Sequence, residues 1–120
     1  MANTAQKKWM LTIATWNSDF GFDDVALYAP YDFQLHHVVG RKGKHKKVDI
    51  GHWFIIPLPT RLHAVGSGNE LNVTHYRNRF TDAFGLQSEL FEEMIDSMVE
   101  SGVTLPFGQD VINAIEDTRR

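Results

Sequence analysis

Residues 35–47 read LHHVVGRKGKHKK: two adjacent histidines close an apolar run, and five basic residues follow within seven positions. All six histidines, His36, His37, His45, His52, His63 and His75, fall inside a window of forty residues. Cysteine is absent, so a bound metal must rest on histidine, carboxylate or water. Three imidazoles with an open coordination position make a hydrolytic metal site, and a further histidine, neutral near pH 7, can take a proton from the attacking water. The neighbouring Lys and Arg side chains offer charge to the phosphate backbone of a nucleic acid, and the glycines let their loop follow a strand. A single histidine is more often a surface or satisfied core residue, and a lysine-rich loop is often only a solvated turn. Clustering is what favours chemistry here.

Secondary structure has to bring these residues together. FQLHHVV reads as a strand running into the turn-forming GRKGKHKK, and HWFIIPL as a second β-branched and aromatic run closed by prolines, which predicts a β-hairpin with a basic loop. Neighbours on a strand point to opposite faces, so at a strand end one of His36 and His37 can meet a metal while the other faces a substrate. TRLHAVGSGNELNVT, residues 60–74, predicts a loop or broken helix after Pro57 and Pro59. THYRNRFTDAFG then predicts a short helix, with Thr74 or Asn72 accepting the first free N–H groups and Gly85 just past its end. Strand, loop and helix thus carry His36 or His37, His63 and His75 toward one point.

The flanks read as scaffold. Ala5, Trp9, Ile13 and Trp16 recur at helical spacing in residues 4–17, and residues 18–32 predict an ordered connection with room for one short helix or strand. SELFEEMIDSMVESG predicts an amphipathic helix N-capped by Ser88, with Leu90, Phe91, Met94, Ile95, Met98 and Val99 as its apolar stripe. A last amphipathic helix is predicted over about 106–118, carrying Val111, Ile112 and Ile115. Trp9, Trp16, Trp53 and Phe54 are most simply core, and His52 a strand residue beside it.

A chain of 120 residues, 42% hydrophobic, suits one domain spanning 1–120. No apolar run approaches the roughly 20 residues that span a bilayer, and the first residues lack a signal-peptide pattern, so the expected location is the cytoplasm without membrane contact. The net charge of −3 conceals an asymmetry. Residues 33–81 hold eight Lys or Arg against Asp49 and Glu70, whereas residues 82–117 hold nine acids and no Lys or Arg. The basic middle suits a polyanion, and the acidic helices suit a basic partner protein or simply water.

The order LHHVVGRKGKHKK, GHWFIIPLPTRLH, THYRNRF and FG resembles the HNH, or ββα-metal, endonucleases, and within them the small phage-type branch that includes the recombination enhancement function nucleases. The resemblance covers about residues 33–87. It implies an α+β fold with a ββα-metal core and a basic β-hairpin loop, extended by an N-terminal helix and by C-terminal helices over about 88–118. It further implies a divalent metal ion, Zn or Mg, held by His36, His63 and His75, with His37 as general base. Arg41, Lys42, Lys44, Lys46 and Lys47 would grip phosphates, and Arg77 or Arg79 would stabilise charge on the scissile phosphate. Three features depart from the pattern: no asparagine lies between Val38 and Leu62, Pro59 stands where relatives commonly carry cysteine, and the gap from His63 to His75 is long.

Two function classes follow. One is a metal-dependent endonuclease that hydrolyses DNA phosphodiester bonds, phage-encoded by resemblance. The other keeps the HNH fold without catalysis and inhibits or redirects a host or defence protein, which the missing base-orienting asparagine and the acidic helices would suit. A metal-free hairpin-and-helix nucleic-acid binder is a third, but it leaves the double histidine unexplained.

Overall fold

The structure, a computed structural model, describes residues 3–22, 33–63 and 71–120. Its first element is α1, Thr4–Asp19. Asn3 Oδ1 accepts the Gln6 N–H (2.9 Å) while Gln6 Oε1 accepts the Asn3 N–H (2.8 Å), a reciprocal cap that satisfies two otherwise free donors. Trp9, Ile13 and Trp16 form its buried face. Each indole N–H is satisfied, Trp9 on the Trp53 carbonyl and Trp16 on Ser97 Oγ, both at 3.0 Å. The connection expected over 18–32 lies mostly outside the described residues.

β1, Phe33–His37, pairs antiparallel with β4, Ile55–Pro59, placing His36 opposite Ile56 and His37 opposite Ile55. The second strand therefore runs through Pro57, as expected, and ends on Pro59. Parity explains this. The Val38 N–H donates to the Phe54 carbonyl (3.1 Å), so positions 57 and 59 are those whose amides face away from β1, where a missing N–H costs no ladder bond. His52 and Trp53, expected on that strand, sit in a turn instead, closed by Trp53 and Phe54 N–H bonds to the Ile50 carbonyl.

Between the strands the basic loop folds on itself. β2, Lys44–His45, pairs with β3, Val48–Asp49, leaving Lys46 and Lys47 as a two-residue turn, both at positive φ (47° and 72°). The loop closes over Gly51: a Cβ there would overlap the carbonyls of Gly40 and Arg41 and the amide of Gly43.

β4 runs directly into the single helical turn α2, Thr60–His63, and then α3, Arg77–Phe84, α4, Gln87–Glu100, and α5, Gln109–Asp117, follow. α3 begins later than the sequence suggests, because Asn72 is spent on a turn: its buried Oδ1 accepts the Thr74 N–H at 2.8 Å. α3 ends at Gly85 (φ 93°). At the head of α4 the Leu86 N–H donates to Glu89 Oε1 (3.0 Å), and Ser88 is buried instead of serving as the cap. Leu90, Phe91, Met94, Ile95 and Met98 make the buried stripe, but Val99 lies 54% exposed beyond its edge. α5 starts at Gln109, not near 106, because Phe107 is drawn into ring contacts with Trp9 (5.1 Å) and Trp53 (5.6 Å).

The result is a small α+β domain. α1 and α4 pack on the fully buried β4, and Ile13, Phe54, Ile55, Ile56, Leu58, Phe91, Met94 and Met98 fill the space between them. The Cα radius of gyration, 13.6 Å, is that of a compact chain of this length. No described helix is long and apolar enough to cross a membrane.

Candidate functional site

His37 is the last residue of β1, where the Gly40 N–H turns back to the His37 carbonyl (3.1 Å). An open cleft of about 570 Å³ at this strand end reaches both faces, so His36 and His37 line it together. His63 enters from α2, Arg41 from the basic loop, Arg77 from the first residue of α3 and Arg120 from the C-terminal end of the chain.

Two glutamines hold the imidazoles. His36 Nε2 lies 2.7 Å from Gln87 Oε1, and His63 Nδ1 lies 2.6 Å from Gln34 Oε1. A carbonyl oxygen only accepts, so each ring donates through that nitrogen and keeps a lone pair on the other. The two rings are 4.6 Å apart between centroids. Gln34 shares a strand face with His36 two residues on, whereas the Gln87 backbone is tied to the Arg120 carbonyl (2.8 Å), linking the head of α4 to the end of the chain. His63 is held from its backbone side as well, by the Thr74 hydroxyl donating to its carbonyl (2.5 Å).

Burial favours the uncharged form of all three rings near pH 7, helped at His36 and His37 by neighbouring positive charge. His36 is pushed down to about 4, chiefly by burial and next by its neighbour His63. His37 is lowered by burial and then by Arg41, His52 and His63. Burial lowers His63.

Other expected site residues lie elsewhere. His75 follows the Asn72 turn, is exposed, packs edge-on near Tyr76 (6.3 Å) and does not line the cleft. No group of three or more His, Asp or Glu among the described residues is placed to hold a metal ion. Arg79 lies over the Tyr76 ring (4.8 Å), also outside the cleft. Within the basic loop, Lys44 faces Asp49 (3.6 Å), while Lys46 Nζ and His45 Nε2 both reach Asp117 Oδ2 at 2.7 Å. That pairing holds the Asp117 carboxyl down at about 2, Lys46 contributing most. Arg41, Lys42 and Lys47 make no ion pair among the described residues.

The acidic helices carry a separate groove, where Glu92, Asp96, Glu100 and Glu116 surround Ile95, Val99 and Ile112. Glu116 facing Glu92 pushes the Glu92 carboxyl up.

Sequence reasoning missed Gln34, Gln87 and Arg120. Gln34 had a signal in its same-face spacing to His36; the other two are brought in only by tertiary folding. No family model matches this chain, and neither a curated protein nor a solved structure matches it.

Proposed function

We propose that the chain is a nucleic-acid phosphodiesterase working as the ββα-metal endonucleases do, with DNA as its substrate and the β1–β4 hairpin and following helices as its ββα core. One observation carries this reading: three uncharged imidazoles, His36, His37 and His63, meet three guanidiniums, Arg41, Arg77 and Arg120, in one open cleft.

His36 and His63 fit two positions on a divalent ion, because each has one ring nitrogen fixed by a glutamine carbonyl and the other free to bind. His75 does not complete a three-histidine set with them. Such an ion, when bound, acts as a Lewis acid on the phosphate and the departing oxygen. His37, uncharged and half-buried beside the pair, takes the proton of the attacking water. Arg77 and Arg41 neutralise charge that builds on the phosphate, and Arg120 adds a third cation at the rim. The test is cleavage of plasmid, branched and single-stranded DNA with Mg²⁺, Mn²⁺, Ni²⁺ and Zn²⁺ supplied separately. Cleavage with at least one ion is expected. Folded protein that cleaves nothing with any ion overturns the hydrolytic reading and leaves a phosphate-binding cleft in a non-catalytic protein, with a partner then to be sought.

A further inference from the structure

Arg41 lines a second cleft as well, of about 350 Å³, whose wall carries Lys42 and Lys44 from the basic loop, Asp49 of β3 paired with Lys44, Gln6 from α1, and His52 and Trp53 from the turn before β4, so that Arg41 and Lys42 are its cations without an ion pair among the described residues. Gly51 lines it too, so close to the Gly40 and Arg41 carbonyls that there is no room for even a methyl group. Trp53 differs from the other two tryptophans. Trp9 and Trp16 are buried, with their N–H groups spent inside the protein, whereas Trp53 is half-buried, backed by Phe107 and open to this cleft.

Cations that track a phosphate backbone beside an aromatic ring are the means by which proteins hold unpaired nucleotides. A base inside a duplex is already stacked on its neighbours and presents no face to an indole, so such a pair of groups selects against intact double strands. We infer that the second cleft seats one unpaired nucleotide of the strand being cut, its phosphate shared on Arg41 and its base stacked on Trp53. The substrate class is then single-stranded nucleic acid, or a flap, loop or branch with an unpaired nucleotide beside the scissile bond. This deepens the phosphodiesterase reading and rests on it for the identity of the strand.

Binding is measured without turnover, in chelator, using the full chain. The probes are an eight-nucleotide oligothymidylate, the matching oligouridylate, and a blunt DNA duplex of the same length, followed by anisotropy and by tryptophan emission. Expected results are tighter binding of at least one single strand than of the duplex, and quenching of the emission on binding. Trp53→Ala should weaken single-strand binding by about 5-fold or more and leave duplex binding unchanged. Trp53→Phe should retain most of the affinity and lose the quenching. Should Trp53→Ala fail to fold, Trp53→Phe decides: quenching that survives in it belongs to another tryptophan and overturns the inference. Equal affinity for duplex and single strands, or a folded Trp53→Ala that binds single strands normally, overturns it also. The thymidylate and uridylate arms separate DNA from RNA. Trp53-dependent binding in a protein that never cleaves would sink the hydrolytic reading alone; cleavage with no role for Trp53 would sink this inference alone.

Discussion

His36 sits in a conflict that makes it measurable. It is half-buried and kept uncharged, with its proton affinity held at about pH 4 against an ordinary value of 6.5. Between those values the unfolded chain binds a proton that the folded chain refuses, so stability rises with pH across that window. The contribution is complete above pH 6.5, falls away progressively below it and is gone by about pH 4, on the order of 3 kcal/mol from this residue. Urea unfolding in chelator at pH 4.5 and pH 7 should show the wild type much weaker at the lower pH and His36→Gln with a visibly smaller difference. An equal difference between the two pH values for both proteins would mean that His36 is not held uncharged by the fold. The histidine pair itself was legible in the sequence, because adjacent imidazoles at the end of an apolar run are unusual. Its glutamine partners were not: Gln87 lies 51 positions away, and an uncharged amide carries no signal of its own. His75 shows the opposite case. Its spacing suggested convergence, but the turn built by Asn72 sends it outward.

Elements were legible where the apolar period was strong. α1 and α4 emerged close to their expected extents because Trp9, Ile13 and Trp16, and Leu90 through Met98, repeat at helical spacing. The main hairpin was also legible from its β-branched runs. The small hairpin inside its loop was not, because a two-residue turn at positive φ normally announces itself with Asn or Gly, and here Lys46 and Lys47 occupy both positions. Gly51 is the position on which that loop depends most. Gly51→Ala must push apart the backbone at Gly40, Arg41 and Gly43, which carries Arg41 away from both clefts. Chemical denaturation should register a loss of about 2 kcal/mol or more, as overpacking of a closed site does, together with weaker binding of single-stranded DNA. Unchanged stability and affinity would mean that the loop adapts freely to the added methyl group.

Across the whole molecule, the charge asymmetry is less a division into halves than a contact between them. The basic turn reaches the acidic C-terminal helix, where Asp117 occupies Lys46 and His45 together. Part of the cationic loop is therefore already neutralised. Asp117→Asn removes that competitor, and DNA binding followed against salt should become tighter and its logarithmic slope steeper by about 1. An unchanged slope would show that Lys46 takes no part in phosphate binding. Because the pair is exposed, folding stability should hardly move.

Metal-dependent cleavage compared among wild type, His37→Ala and His75→Ala tests most directly whether the cleft at the end of β1 does the chemistry. With His37 as the base and His75 outside the cleft, His37→Ala should lose about 100-fold or more in rate while His75→Ala stays close to wild type. A folded His37→Ala that cleaves as fast as wild type, or a folded His75→Ala that cleaves nothing, would place the reacting centre elsewhere.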